Sequence, residues 1–422
     1  MTQPHQDRLH AQGVVERRLR RVVLALSSFV LVAALSVSTS AAQATDPDPG
    51  NEPAEPDFAL LKEALTIIED RFVDGAAVSS EDLSSGSIRG MVEALGDDGH
   101  TVYLTPDELA AERDALEGRV SGIGVVMDQR AGAPLIISVI DGSPADLAGV
   151  RGGDVIVSVD GVDITRIPLD ELAGLVRGEV DTVVRIAVER PGESEPIDLR
   201  IVRSNVQVDP TSWAFVPGSD IAVVRIVQFS AQSGRETQEA IEAVLEGGAT
   251  GIVLDLRGNP GGLVDEALVV AGSFLSDSVA YQEQGRDGPL HAVRVKTGPT
   301  IAPEIPLVVL VDYGTASSAE ILAAALRDNA RAVIVGEQTF GTGTVLNTFE
   351  LSDGSALRLG VLRWLTPDGE DVFRVGIAPD DKVGLPQGAV ALVPGDLVGM
   401  TSADLARSSD LPLLRALERF GP

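Results

Sequence analysis

The sequence predicts an α/β multidomain chain: an N-terminal helical segment, then a β-rich block, then an α/β core. Three observations carry this. Phe58–Phe72 places its apolar residues at helical spacing. From 119 to 207 the apolar runs shorten to strand length and are separated by Gly, Pro and Asp turns. After 208, short apolar strands alternate with helix-length segments, the pattern of a mostly parallel sheet with helical cover. A chain of 422 residues, 44% of them hydrophobic, has room for two or three such units.

Composition removes several kinds of chemistry. A formal net charge of −30 argues against non-specific nucleic-acid binding, because phosphates would be repelled. The absence of cysteine excludes disulfides, thiolate metal sites and cysteine nucleophiles. His5, His10, His100 and His291 form no HExxH or other clustered zinc pattern, and no metal or organic cofactor is expected. Lysine is scarce, at Lys62, Lys296 and Lys382 only.

The first 44 residues read as a signal peptide or membrane anchor. Arg17, Arg18, Arg20 and Arg21 precede the apolar run Val22–Val37, and Ala42-Gln43-Ala44 follows it as a cleavage-type site. The run is short of the roughly 20 residues of a comfortable span. Positive charge ahead of the run places everything after it outside the cytoplasm. Residues 45–57, acidic and proline-rich, form an extended linker, so the chain is expected to be exported to the cell envelope, anchored there or released.

The helical segment covers 58–118, with a second helix around Ser87–Leu95 and a third opened by Thr105-Pro-Asp-Glu108, proline in its first turn. Strands follow at Gly124–Met127, Pro134–Val139, Asp154–Val159 and Thr182–Glu189, with a short helix inside 141–154. Ser121-Gly-Ile-Gly-Val125, Gly142-Ser-Pro-Ala145, Gly152-Gly-Asp-Val-Ile156, Asp160-Gly161 and a helix at Leu169–Val176 occur in that order, and the block 119–207 resembles a PDZ domain. The resemblance implies that Gly122, Ile123, Gly124 and Val125 turn backbone N–H groups toward a peptide's C-terminal carboxylate while the peptide adds as a strand. The plain alternative is that the two glycines only shape a turn.

In the core, 208–390, strands are expected at Ile221–Val227, Gly251–Leu256, Ile305–Val311 and Arg331–Gly336, with helices at Ser233–Leu245, Asp265–Leu275 and Ser317–Arg327. Two loops end apolar strands, where open α/β sheets place their sites. In LDLRGNPGG, 254–262, paired glycines can bare consecutive N–H groups; in DYGTASSAEI, 312–321, Ser317 opens a helix. Ser317 could attack a carbonyl while such N–H groups hold the oxyanion. Ser317-x-x-Glu320 is equally a capping box.

Longer motifs favour the first reading. GIVLDLRGNPGGLVDEA, VVLVDYGTASSAEILAAAL, GEQTFGTG, LSDGSALRL, LTPDG and GIAPD resemble, in order, segments of carboxyl-terminal processing peptidases of family S41, and the resemblance spans about 58–385. It implies a core of the ClpP/crotonase-like type and a PDZ domain. It also implies Ser317 as nucleophile and an oxyanion hole made by the N–H groups of Ser318 and Gly262. The family's general base, typically a lysine in a TFGKG loop, falls 25 residues after the nucleophile, and that position here is Thr342. The glutamine four positions later is Leu346. A threonine hydroxyl does not ionise near neutral pH and cannot be the base. The loop is no phosphate cradle either, because no Gly-Lys-[Ser/Thr] follows its glycines.

Asp98-Gly-His100-Thr101 offers another base. It resembles the Asp-x-His-Thr stretch of relatives that use Ser-His-Glu chemistry, and an imidazole titrates in the right range. The glutamate of those relatives maps to Phe373, with Glu370 and Asp371 out of register. The chain is therefore expected to be an exported serine endopeptidase acting near the free C-termini of protein or peptide substrates, with a C-terminal tail at 391–422. The alternative is an inert relative that binds exposed C-termini as a scaffold.

Overall fold

The computed structural model describes residues 58–421 except 75–78, 98–100, 131–132, 141, 165–166, 168, 191, 194, 287, 296–299 and 387–388. It divides into two units, Met1–Gly75 and Ala76–Pro422. In the first, Phe58–Arg71 is helical, as its apolar spacing predicts. Among the described residues no helix is long and apolar enough to cross a membrane. The apolar run 22–37, the Ala42-Gln43-Ala44 site and the 45–57 linker lie outside them.

The second unit opens with a helix at Ser80–Glu93, seven residues earlier than the start expected at Ser87. Its start is set by capping: Ser79 Oγ accepts the Asp82 N–H at 2.9 Å, and Glu81 and Asp82 sit on the positive end of the helix. The helix Pro106–Leu116 begins where the sequence placed it. Thr105 and Glu108 form a full capping box, with proline in the first turn.

The PDZ-like block is built on an antiparallel sheet of Val125–Arg130, Ala133–Val139, Val155–Val159, Val183–Glu189 and Ile197–Val202. Ile136, Ile156, Leu172, Val184, Ile186 and Ile201 fill its core. An antiparallel ribbon, Arg119–Gly122 with Ser204–Gln207, carries the chain into the block and out again.

The core sheet runs, among the described residues, Thr211–Phe215, Ile221–Ile226, Gly251–Asp255, Leu307–Val311, Val333–Gly336 and Asp381–Lys382. Only the first pair is antiparallel. Successive side chains of a strand point to opposite faces, and here both faces are covered. Val224, Ile252, Leu254 and Val309 pack with Ile241, Val270 and Leu322 of the helices Ser233–Glu246, Val264–Phe274 and Ser318–Asp328. Val223, Val253, Leu310 and Val335 pack with Leu397, Leu405, Leu413 and Ala416 from the C-terminal stretch. That stretch carries helices at Pro394–Leu397, Ser402–Leu405 and Leu411–Glu418. A second sheet, absent from the sequence reading, joins Val102–Leu104, Val279–Gln284, His291–Arg294, Thr344–Glu350 and Ala356–Leu365.

Candidate active site

Ser317 follows the strand Leu307–Val311 and stands at the N-terminus of the helix Ser318–Asp328. Its backbone has φ 54° and ψ −122°, a sparsely populated conformation for a side chain-bearing residue. The loop is held from several directions. Thr315 Oγ1 donates to the Leu256 carbonyl at 2.8 Å, the Ala316 N–H to the Asn259 carbonyl at 2.9 Å, and the Phe340 N–H to the Thr315 carbonyl at 3.0 Å. The capping box is only half made. The Ser317 N–H donates to Glu320 Oε2 at 2.8 Å, but the Glu320 N–H is taken by the Ser317 carbonyl at 2.9 Å, and the Ser317 hydroxyl forms no capping bond. That leaves the hydroxyl available for chemistry.

The glycine loop lies against it. A Cβ on Gly261 would stand 2.7 Å from Ser317 Cβ and 3.0 Å from the Ser318 nitrogen; one on Gly262 would meet the Phe229 carbonyl oxygen at 2.2 Å. Only glycine allows these approaches at φ 95° and 131°. Gly262 forms a parallel bridge with Phe229, using the Gly261 carbonyl and the Leu263 N–H. The Gly262 N–H therefore points away from Phe229. The Gly261 N–H is occupied by Asn259 Oδ1 at 2.9 Å. Among the described residues neither the Gly262 nor the Ser318 N–H has a protein acceptor. Ser317, Gly261, Gly262, Thr342 and Leu346 all line one cleft of about 640 Å³, with apolar walls from Leu263, Ile321, Phe340 and Trp364.

Beneath the glycine loop lies a buried charge network. Arg257 spans Asp255, with Nη2 to Oδ2 at 2.8 Å, and Asp410, with Nη1 to Oδ1 at 2.9 Å; Arg225 adds a second cation to Asp255 at 3.1 Å. Burial penalises the Asp255 carboxylate, but Arg257 and Arg225 outweigh it and hold its pKa below the usual range. Burial also penalises the Arg257 guanidinium, which the two aspartates nonetheless hold protonated.

Comparison with known proteins decides what this arrangement belongs to. Residues 220–383 match the model of peptidase family S41, and residues 135–190 match a PDZ domain. The carboxy-terminal processing protease CtpA of Bacillus subtilis (strain 168) is 32% identical over 88% of this chain and 78% of its own. The chain belongs to peptidase family S41. The carboxyl-terminal-processing protease of Synechocystis is 34% identical over 73% of this chain and 74% of its own. The solved photosystem II D1 C-terminal processing protease has TM-score 0.52 at 29% identity, covering 82% of this chain and 97% of that one. The protein is thus a serine-type peptidase carrying a PDZ domain.

In this S41 chain, Thr342 lies in the loop after the strand Val333–Gly336 and is 4% exposed. Its N–H donates to Glu320 Oε2 at 2.9 Å. Leu346 is half-buried in the same cleft. His100 lies outside the described residues. The residues flanking it are anchored: Thr101 Oγ1 donates to Asp97 Oδ2 at 2.7 Å and accepts the Gly360 N–H at 3.1 Å, and Arg374 donates to the Gly96 carbonyl. Gly360 packs on Thr344, which lines the cleft. Phe373 lies under Gly343, whose Cβ would stand 2.3 Å from its Cα. Glu370 and Asp371 are engaged by Arg327 and Arg363.

The PDZ groove is lined by Gly122–Val125, Val176, Arg177 and Val206. Ile123 buries its side chain in the domain core, and the Ile123 and Gly124 carbonyls accept from the Ala145 and Ile140 N–H groups. Arg177 and the cleft pair Arg358–Glu112 escaped the sequence reading. Neither belongs to a motif, and only the fold brings them to a groove.

Proposed function

We propose that this protein is an exported endopeptidase of the carboxyl-terminal processing type, in which the PDZ domain takes a substrate's free C-terminus and Ser317 cleaves upstream of it. Ser317 Oγ attacks the scissile carbonyl. The N–H groups of Ser318 and Gly262 stabilise the oxyanion, the leaving amine departs protonated, and water resolves the acyl-enzyme. His100 is the proposed base, accepting the serine proton as a neutral imidazole. The anchored positions of Gly96, Asp97 and Thr101 beside the cleft wall support that assignment. Arg177 adds a positive charge to the groove expected to hold the carboxylate. The N-terminal basic–apolar–AQA sequence supports export, with the apolar run removed or retained as an anchor.

One observation carries the reading: a strained Ser317 shares a cleft with Gly262, beside N–H groups without protein acceptors. The protease names of the full-length relatives favour an enzyme over an inert scaffold. The test is cleavage of a peptide with a free C-terminal acid and of its amidated twin. The free acid should be cut and bound more tightly by the PDZ domain; equal handling of the two would defeat C-terminal recognition. Activity should rise with pH through a histidine-like pKa and collapse in His100→Ala. A His100→Ala enzyme with wild-type turnover would remove His100 as base.

A further inference from the structure

We propose that Glu320 is a positioning residue for acyl transfer: its carboxylate latches the nucleophile loop to the 339–342 loop, so that the two move as one body. The proposal rests on the reading of Ser317 as nucleophile. Glu320 is fully buried in the first turn of the helix Ser318–Asp328. A helix cap asks for one acceptor for one N–H. This carboxylate accepts four hydrogen bonds, from the Ser317 N–H at 2.8 Å, the Thr342 N–H at 2.9 Å, the Gly341 N–H at 2.7 Å and Thr339 Oγ1 at 2.5 Å. Among the described residues no Lys or Arg forms a salt bridge with it, so its buried oxygens are satisfied by these hydrogen bonds.

The donors come from loops that follow adjacent parallel strands, Leu307–Val311 and Val333–Gly336. Thr339 Oγ1 also accepts the Ile377 N–H at 2.6 Å, and the Gly341 carbonyl accepts the Arg374 N–H at 2.8 Å, which extends the latch to a third segment. Three consequences follow for the site. The strained Ser317 backbone is pinned at its own N–H. That N–H is consumed, so the oxyanion depends on its neighbours Ser318 and Gly262. Position 342 is held in the cleft with Ser317 whatever side chain it carries.

Two substitutions separate a latch from a cap. In Glu320→Gln the amide NH2, whichever way it turns, faces main-chain donors, either Gly341 or Ser317 and Thr342. Glu320→Asp keeps charge and an acceptor for the Ser317 N–H, but is one methylene too short to hold 339–342 as well. Both should fold, with kcat on a C-terminal peptide lowered about 10- to 100-fold and KM within about twofold. Glu320→Asp turning over like wild type would reduce Glu320 to a cap and overturn the proposal. If the wild type itself turns over nothing, the peptidase reading fails, and amide hydrogen exchange decides the latch. Faster exchange at Gly341 and Thr342 in Glu320→Asp, with the helix 318–328 still protected, supports it; unchanged exchange at those two amides overturns it.

Discussion

The nucleophile loop and the loop carrying Thr342 make an instructive pair. They follow neighbouring parallel strands, both contain glycines at positive φ or packed against them, and both donate to the carboxylate of Glu320. The first delivers a hydroxyl that half-formed capping leaves available, on a strained backbone, beside N–H groups without protein partners. The second is built with the same care. Gly341 and Gly343, at φ 93° and 55°, would press a Cβ into the 373–376 backbone, yet the residue between them offers only a threonine hydroxyl. Backbone geometry comes from glycines and buried hydrogen bonds, whereas reactivity comes from one side chain. The two are specified separately.

Substitutions test that separation of geometry from reactivity. Ser317→Ala should lower kcat by about 10³-fold or more while leaving peptide binding to the PDZ domain intact; measured turnover within tenfold of wild type would move the chemistry elsewhere. Next in size, the Arg257 network ties the glycine loop to the C-terminal helix. Asp410→Ala leaves one end of a buried guanidinium unpaired and should cost about 3–5 kcal/mol in denaturant unfolding. The folded-state pKa of Asp255 lies below that of the unfolded chain. Its contribution is complete above the ordinary carboxylate range and is lost as pH falls through the depressed value. The wild type should therefore lose stability on the acid side, and Asp410→Ala should reach its acid transition at higher pH. Gly262→Ala should reduce kcat/KM about 10²-fold, since a Cβ against the Phe229 carbonyl must shift the N–H proposed to hold the oxyanion. The smallest effects belong to hydroxyls without a proposed role. Thr342→Ala should change kcat/KM by less than about threefold. So should Ser318→Ala, which removes a buried hydroxyl with no hydrogen-bond partner and keeps the N–H.

How much of this the sequence showed depended on whether order or juxtaposition was at stake. The parallel strands announced themselves as apolar runs because both sheet faces are buried, and the helix Leu169–Val176 and the Thr105 cap lie where spacing and capping put them. The hairpin Thr344–Glu350 with Ala356–Leu365 did not: it is half-exposed, mixed in polarity, interrupted by Gly360, and lacks a clean alternation. The C-terminal segment is expected only as a tail, yet Leu413 and Ala416 cover the core sheet and Asp410 reaches Arg257 across 153 residues. The motifs pointed to Ser317, Ser318 and Gly262, which the fold brings close together. The wider contacts of Glu320 hid behind its capping register, because its other three donors come from a loop about twenty residues on.

If Ser317 is an activated nucleophile although Thr342 stands in the loop beside it, a fluorophosphonate should find it. The full chain, with a C-terminal peptide present, is treated with the reagent and the adduct mapped by mass spectrometry. One adduct is expected, on Ser317, formed faster as pH rises through the histidine range and absent from Ser317→Ala. Unlabelled wild-type protein at every pH, still binding the peptide through its PDZ domain, would contradict it.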